Sequence, residues 1–379
     1  MNYLLLYDQY NTTIEVNIAS LRSFLDYDSN PLKTASSVNV SRDDLNWSNV
    51  CIAIRPTSIF MVRIMHAIKQ SGRTFVSTFD DDLLNLPKGY SERWKSKYAL
   101  SCIKESDILI TCNPLIQKSY KEKAPNPHYV NINAHIRADE IKSVKGIGDK
   151  IRMVYAAGRD HTELFDLFIK PSLDKLHKAY GEKLELTLMG IDPDILDAHK
   201  SWIEVIPSKP LKEYNEYMKV HDFDIGLAPL PDTPFCNRKY FNKYIEYSKN
   251  GICGIYSDCL PYTLVVENGE NGLLVDNSVE EWEKKIVWAV ENIDKMKEMA
   301  DNAQQQIRND FSLTSIRMLW DKEVVSYINK NAILADVDYS HALLREGVFY
   351  IKNQWNRFTS HIKREGLNSA LKTIVGMKR

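Results

Sequence analysis

The chain has 379 residues, of which 44% are hydrophobic and 26% are charged, and its formal net charge at pH 7 is -1. A chain of this length normally organises more than one hydrophobic core, so we expect two domains. A net charge near zero predicts no general affinity for nucleic acid. The composition therefore favours a two-domain protein that binds small molecules or other ligands rather than DNA or RNA.

The cysteine pattern and the first residues of the chain indicate in which cellular compartment the protein is expected. The six cysteines show no Cys-x-x-Cys spacing, which is typical of reduced core residues in a cytoplasmic protein and argues against a metal site. The first residues contain no basic leader, and no run approaches the length needed to cross a bilayer. We therefore expect a cytoplasmic protein.

Strand-like and helix-like runs alternate along the first part of the chain. Short apolar runs are separated by amphipathic stretches, and this alternation predicts a parallel sheet flanked by helices. The predicted strands are 3–7, 50–54, 74–79, 108–111 and 129–132. A charged segment with two glycines, residues 137–150, then interrupts the pattern and predicts a linker between domains.

The alternation of strands and helices restarts after the linker. The predicted strands of this second half are 151–156, 184–188, 203–206, 224–228, 252–256 and 273–275. We predict an α/β fold of two Rossmann-like domains that face a cleft, with a C-terminal helical extension. The predicted domain boundaries are 1–148 and 149–312.

The segment 239–258 contains the most informative charged residues. Lys239, Lys243 and Glu246 are spaced three or four residues apart, which predicts that they share one face of a helix. Gly251 is placed to end that helix, and an apolar strand follows at once. Ligands of open α/β sheets bind at the carboxyl ends of strands, so the segment predicts a ligand site.

These residues resemble the nucleotide-sugar-binding domain of GT-B glycosyltransferases, in particular glycosyltransferase family four (group 1). The resemblance rests on Lys243, Glu246, Gly251, Ile255 and residues 272–275. It implies that Glu246 holds the ribose hydroxyls of a nucleotide-sugar donor.

The chain departs from the family at two positions. Arg238 stands where the family usually has the first of two glutamates, and Cys253 stands where a proline is usual. In many relatives that first glutamate contacts the donor sugar. The resemblance therefore does not imply which sugar the donor contains.

The resemblance also implies a diphosphate site at the glycine turn after the first strand of the second domain. Gly158 and Arg159 lie there, and the backbone N–H groups of such a turn can bind phosphate. Positive charge from Arg159, Lys239 and Lys243 would stabilise the departing nucleoside diphosphate. The alternative is that all three cations lie on solvated faces.

Two more residues belong to the predicted donor site. His161 either reaches the cleft or caps the helix that follows it, and Tyr262 lies in the turn after strand 252–256. The loop 229–237 contains three prolines and directly follows a strand, so we expect it to line the same pocket.

Three consecutive acids, Asp80, Asp81 and Asp82, follow the predicted strand 74–79. Adjacent carboxylates repel one another, so they have to be solvated, used as caps, or bound to a positive group. The resemblance places the acceptor in this domain, so we expect these acids to face it: in an inverting transfer one of them would be the general base for an acceptor hydroxyl, whereas in a retaining transfer they would only position sugar hydroxyls. Two alternatives are an Asp-x-Asp metal site, which the resemblance disfavours, and a cap on the following turn.

Helical sequence continues beyond the second domain. Residues 313–330 resemble, in position, the crossover helix by which the family's chain returns to the N-terminal domain. Residues 331–379 lie outside the resemblance and are predicted to form a basic, aromatic, helical tail. Such a tail either binds the anionic inner face of a membrane, where a lipid-linked acceptor would be found, or packs on the protein or on a second copy in a homodimer.

The predicted protein is a metal-independent glycosyltransferase without a cofactor other than its donor substrate. It would move a hexosyl or deoxyhexosyl group from a nucleoside-diphosphate sugar to a glycan or lipid-linked acceptor, in bacterial surface polysaccharide assembly. One alternative is a nucleotide-sugar epimerase of the same fold. Another is a catalytically silent GT-B partner subunit.

Overall fold

The computed structural model of the protein describes residues 1–27, 30–87, 95–158, 161–191, 196, 201–328, 330 and 332–339. The described chain forms two parallel β-sheets of six strands, and helices pack on both faces of each sheet. The predicted α/β architecture with two Rossmann-like halves is confirmed. None of the helices in the described ranges is both long enough and apolar enough to cross a membrane.

The N-terminal sheet has the strand order β2-β1-β3-β4-β5-β6. Its strands are β1 Tyr3–Tyr7, β2 Leu32–Ser36, β3 Val50–Ile54, β4 Thr74–Phe79, β5 Ile108–Thr111 and β6 His128–Asn131. The inner strand β3 is continuously apolar and fully buried because both faces of the sheet are covered, whereas β4 is nearly as buried but carries two threonines and a serine. Strand β2 was not predicted: it is a half-exposed edge strand with a weak apolar pattern, and pairing with β1 defines it.

The helices of the N-terminal domain begin at recognisable caps. Ser58 accepts a hydrogen bond from the backbone of Met61, and Asn113 accepts one of 2.8 Å from the backbone of Leu115. Pro114 occupies the first helical position after Asn113, where its missing N–H costs nothing. The helices are α1 Thr12–Tyr27, α2 Arg42–Trp47, α3 Ile59–Gln70, α4 Lys95–Glu105 and α5 Pro114–Lys123.

The C-terminal sheet has the strand order β12-β11-β10-β7-β8-β9. Its strands are β7 Ile151–Ala156, β8 Leu184–Met189, β9 Ile203–Ile206, β10 Ile225–Ala228, β11 Cys253–Ser257 and β12 Leu273–Val275. The helices are α6 Thr162–Phe168, α7 Leu173–Tyr180, α8 Leu211–Val220, α9 Asn242–Lys249, α10 Val279–Glu291, α11 Ile293–Asp310 and α12 Leu313–Trp320. All six strands predicted for this half are present.

Helix α9 differs from the prediction at its start. The expected helix began at Lys239, but α9 begins at Asn242, and residues 236–238 form a separate 3-10 turn before it. Gly251 does follow the helix end and adopts a left-handed φ of 70°, as its predicted stop role requires. Lys239 therefore does not share a helical face with Lys243 and Glu246.

After α11 the chain returns to the N-terminal domain. Helix α12 and a short π-helix, Asp321–Val325, place Ile316, Trp320 and Val324 in the core beneath β1 and β3. Of the predicted tail, only residues 332–339 are described. They contain no helix or strand, so this part of the predicted tail is not helical, and they lie along the N-terminal domain, where Val337 is buried; residues 331 and 340–379 lie outside the described ranges.

Candidate active site

The C-terminal pocket, as we name it, is a cavity of about 420 Å³ at the carboxyl edge of the C-terminal sheet. It lies where the strand order reverses between β7 and β10, and such switch points are where open α/β sheets bind ligands. Five of the predicted donor-site residues line it: Gly158, His161, Lys243, Glu246 and Tyr262. Arg159 lies outside the described residues.

Glu246 is held by two neighbours on the pocket wall. The ammonium of Lys243 lies 2.5 Å from Glu246 Oε2, and the hydroxyl of Tyr214 donates a hydrogen bond of 3.0 Å to the same oxygen. Burial, reinforced by the Glu246 charge, raises the pKa of Tyr214 well above its ordinary value, so the hydroxyl stays protonated and can donate. The Glu246 carboxylate is thus oriented while its Oε1 receives no hydrogen bond from the described residues.

Tyr214 was not predicted as a site residue. It lies in the first turn of α8, where a tyrosine is typical of ordinary helix packing. Its ring also lies beneath the Lys243 ammonium, 5.6 Å from ring centroid to nitrogen. Only the packing of α8 against α9 reveals its contact with Glu246.

The pocket depends on a close approach between the ends of β7 and β8. Gly190 adopts a φ of +80°, and a Cβ placed on it would lie 2.2 Å from the carbonyl oxygen of Ala157. No other residue type fits this position without moving the backbone. Gly190 directly follows β8 and lies two residues after the end of the predicted strand 184–188, a signal that could have marked it as a pocket residue.

His161 and Tyr262 complete the pocket lining. His161 stands at the N-cap position of α6, but its side chain makes no capping hydrogen bond, so the predicted capping alternative is not observed. Its carbonyl accepts a hydrogen bond of 2.8 Å from the hydroxyl of Tyr155. Tyr262 packs against Tyr256 with the ring centroids 4.8 Å apart, and burial raises the pKa of its hydroxyl.

The interdomain cavity, our name for a second cavity of about 350 Å³, lies between the two domains. Asp80 and Asp81, at the end of β4, line its N-terminal wall, and Lys239 and Asn242 line its C-terminal wall. Lys239 lies here rather than in the C-terminal pocket because it precedes α9. Two of the three predicted acids and one predicted cation therefore line the same cavity from opposite domains.

Arg55 pairs with both acids of the interdomain cavity. It directly follows β3, has a left-handed φ of 47°, and its guanidinium contacts Asp80 through Nε and Asp81 Oδ2 through Nη2 at 2.6 Å. Burial opposes its charge, but the two carboxylates raise the pKa of Arg55 above its ordinary value. Arg55 was not predicted as a site residue. The signal that identified the acids, a charged side chain directly after a buried strand, applies to Arg55 as well.

Asp81 has an altered acidity. Burial, together with the neighbouring charge of Asp80, raises the pKa of the Asp81 carboxyl, while the cations Arg55 and Lys239 oppose the rise. A carboxylate of raised pKa is a stronger base than an ordinary aspartate. Of the three predicted acids, Asp81 thus has the properties that best suit proton abstraction.

Asp82 occupies a different environment from its neighbours. It is 1% exposed and does not line the interdomain cavity. Its carboxylate accepts hydrogen bonds from the backbone of Leu84 and Asn85 and from the Asn85 side chain at 2.7 Å. Asp82 therefore caps its own turn, which is the alternative raised from the sequence, and Arg238 of the other domain lies 3.3 Å from it.

The interdomain cavity contains polar atoms without protein partners. Thr111 is 1% exposed, and its hydroxyl makes no hydrogen bond with any described residue; the same holds for the side-chain oxygen of Asn133. Both residues line the cavity. Buried polar atoms are nearly always hydrogen-bonded, so these two oxygens are places where a bound water or ligand group would supply the missing partner.

A metal ion finds no ready set of ligands in the described ranges. No group of three or more His, Cys, Asp or Glu residues is arranged there to hold one. Asp80 and Asp81 already contact Arg55, and Asp82 points into its turn. Metal independence of the reaction stays a prediction.

No protein-family model matches the sequence, and no curated protein matches it. Solved structures do match. The chain is similar to Anabaena HepE in complex with UDP, with a TM-score of 0.61, 13% identity, and coverage of 86% of this chain and 100% of HepE. It is also similar to sucrose-phosphate synthase from Thermosynechococcus elongatus, with a TM-score of 0.61, 10% identity, and coverage of 85% and 98%.

A third similar structure is a putative UDP-N-acetylglucosamine 2-epimerase from Listeria monocytogenes, with a TM-score of 0.56, 10% identity, and coverage of 90% of this chain and 100% of that one. At these identities the similarities define the fold. The two six-stranded sheets, the cleft between them and the return of α12 make it the GT-B fold, as predicted.

Proposed function

We propose that the protein transfers a glycosyl group from a nucleoside-diphosphate sugar to an acceptor hydroxyl. The observation that supports this most is the position of α9 between the two cavities. Lys239 and Asn242 line the interdomain cavity, whereas Lys243 and Glu246 line the C-terminal pocket. A donor in the pocket would therefore bring its sugar next to a group bound between the domains.

The C-terminal pocket suits the nucleotide part of the donor. Glu246 Oε1 would accept hydrogen bonds from the ribose hydroxyls, and Lys243 would contact the diphosphate. The turn at Gly158 and the cation Arg159, which the resemblance to family four implicates, would add to the phosphate site. A similar solved structure, Anabaena HepE, is described in complex with UDP-glucose.

The interdomain cavity suits the acceptor. Its charged side chains are two acids and two cations, Asp80, Asp81, Arg55 and Lys239, so their formal charges cancel. An uncharged group with hydroxyls fits this balance better than a phosphate or a carboxylate does. The unpartnered oxygens of Thr111 and Asn133 are placed to pair with such hydroxyls.

In the proposed reaction Asp81 is the general base. Its carboxylate takes the proton from the acceptor hydroxyl as that oxygen bonds to the anomeric carbon. The bond between this carbon and the diphosphate oxygen breaks, and the electron pair leaves with the nucleoside diphosphate, whose charge Lys243 stabilises. Attack from the face opposite the leaving group would invert the anomeric centre.

A nucleotide-sugar epimerase is the second candidate, favoured by the similarity to the putative Listeria epimerase. It would use the C-terminal pocket in the same way but would need no acceptor. A silent partner subunit of a transferase is the third. Membership of family four, a role in bacterial surface polysaccharide assembly, and attachment to the inner face of a membrane through residues 331–379 stay predictions.

A thermal-shift screen tests the donor site. The purified protein is mixed with UDP, GDP, CDP, dTDP and their common sugars, with and without EDTA. We expect one nucleotide to stabilise the protein in both conditions, and Lys243→Ala to remove the shift. Absence of any thermal shift would favour the silent partner subunit. In a separate activity assay, product formation from the donor without an acceptor would favour the epimerase.

A further inference from the structure

The 3-10 turn before α9, residues 236–238 of the C-terminal domain, is bound to the N-terminal domain. The side-chain amide of Asn113 donates to two carbonyl groups of this region, to that of Asn237 at 3.0 Å and to that of Lys239 at 2.8 Å. Asn113 is itself 1% exposed, and its Oδ1 is engaged as the cap of α5. Its two amide hydrogens thus point to the other domain in a fixed direction.

An ion pair lies beside these hydrogen bonds. Arg238 Nε lies 3.3 Å from Asp82 Oδ2, an ion-pair distance without the geometry of a hydrogen bond, and the Asp82 side chain has no exposed surface. The remaining contacts of Asp82, to the backbone of Leu84 and Asn85 and to the Asn85 side chain, hold its carboxylate in place. Arg238 also donates to the carbonyl of Pro234 at 3.0 Å, which fixes the turn from its own side.

We propose that Arg238, Asp82 and Asn113 form a latch that holds the two domains closed and positions Lys239 in the interdomain cavity. The part of this proposal that concerns catalysis rests on the proposed function. Lys239 follows Arg238 directly, and its carbonyl is one of the two that Asn113 binds. The latch therefore places the Lys239 ammonium in the same cavity as Asp81.

The latch gives Arg238 a role that differs from the one its position suggests. The resemblance to family four places a sugar-contacting glutamate at this position, but Arg238 does not line the C-terminal pocket. It faces Asp82, whose side chain has no exposed surface. A buried carboxylate requires a nearby cation, so removal of Arg238 favours a state in which the domains separate and water reaches Asp82.

Cys112 offers a direct readout of domain opening. Its side chain lines the interdomain cavity, is 8% exposed, and donates a hydrogen bond to the carbonyl of Asp80 at 3.4 Å. Burial raises the pKa of the Cys112 thiol well above its ordinary value, so alkylation is slow while the domains are closed. Cys51, in the core of the N-terminal sheet, serves as the internal reference.

The experiment compares iodoacetamide labelling of Cys112 in the full chain and its variants by mass spectrometry. Arg238→Gln removes the ion pair, and Asn113→Asp removes both amide donors while keeping an oxygen that caps α5. We expect each change to increase the Cys112 rate about tenfold relative to Cys51, the factor that one interdomain contact contributes. Arg238→Lys, which keeps the charge, should restore slow labelling, and Arg152→Gln, in an ion pair within one domain, should label as the parent does.

Nucleotide binding and transfer separate the latch from the proposed function. UDP affinity should be unchanged in Arg238→Gln, because the C-terminal pocket belongs to one domain, while KM for the acceptor should rise. Unchanged Cys112 labelling in both Arg238→Gln and Asn113→Asp would overturn the latch. If the parent protein binds no nucleotide but both variants label faster than the parent, the latch is supported and the proposed transferase function is refuted.

Discussion

The C-terminal pocket and the interdomain cavity differ in how their residues are supplied. In the pocket, Lys243 and Glu246 lie one turn apart on α9, so local spacing brings them together. In the cavity, Arg55, Asp81 and Lys239 follow three different strands and come from two domains. Five of the predicted donor-site residues therefore line the pocket, whereas the cavity brings together two predicted acids, the predicted Lys239 and the unpredicted Arg55.

The two sheets also place their switch points differently. The C-terminal sheet reverses between β7 and β10, and the pocket lies at that crevice. The N-terminal sheet reverses between β1 and β3, but the interdomain cavity extends across the ends of β3, β4 and β5. The same architecture thus supports a pocket of about 420 Å³ within one domain and half of a shared cavity in the other.

The largest expected effect is the loss of transfer activity on substitution of Asp81, which tests the interdomain cavity and not the C-terminal pocket. Asp81→Asn should lower transfer by about 10²- to 10⁴-fold, the usual contribution of a general base, without changing nucleotide affinity. Steady-state rates and calorimetric binding of UDP check this. Asp139→Asn, an exposed acid paired with Arg137, is the control. Full activity in Asp81→Asn would eliminate the general-base role.

Lys243→Ala should affect the pocket alone. Loss of a charge-assisted contact to the diphosphate should weaken UDP binding about 10- to 100-fold, as measured by titration calorimetry. Lys212→Ala, an exposed lysine on α8, should bind as the parent does. Equal affinities for both variants would place the nucleotide elsewhere.

Gly190→Ala should destabilise the C-terminal domain. The new Cβ would meet the Ala157 carbonyl, and the left-handed φ adds strain, so the free energy of unfolding should fall by about 1–3 kcal/mol or more. Gly181→Ala is the matched control, because its φ of +56° is also left-handed but nothing lies within 4 Å of the added Cβ. Similar losses in urea unfolding would show that φ, and not the close approach, sets the cost.

Tyr214→Phe should have a smaller effect on the pocket. It removes the hydrogen bond that orients Glu246, which is worth about 0.5–1.5 kcal/mol, so UDP affinity should fall several-fold. Tyr180→Phe removes a comparable hydrogen bond to Glu291 on the surface of the same domain and should leave affinity unchanged. An unaltered affinity in Tyr214→Phe would mean that Glu246 does not contact the nucleotide.

The smallest expected effect is on pH dependence. The pKa of Asp81 is raised in the folded protein, so the folded state binds its proton more tightly than the unfolded state does. This contribution stabilises at low pH and is lost as pH rises from the ordinary value of 3.8 through the folded pKa. Relative to the parent, Asp81→Asn should therefore gain stability as pH rises, and a difference independent of pH would contradict the raised pKa.

Several elements were open to prediction because their signals are local. Eleven of the twelve strands are apolar enough to be recognised, and only β2, a half-exposed edge strand, escaped. The end of α9 at Gly251 follows from the need for a left-handed residue. The predicted start of α9 was wrong. Lys239 lies four residues before Lys243, a spacing that fits one continuous helix, but the 3-10 turn at residues 236–238 ends before Lys239 and α9 begins only after it.

The sequence alone determined the two-domain α/β architecture and the pairing of Lys243 with Glu246, because apolar runs and helical spacing act over a few residues. Only the tertiary structure decided which acid faces the interdomain cavity, that Arg55 pairs with two of the acids, and that Arg238 meets Asp82. Three consecutive aspartates are equivalent as a pattern. Their distinct environments arise because the chain turns after β4, which directs Asp81 into the interdomain cavity and turns the buried Asp82 toward the backbone of its own turn and toward Arg238.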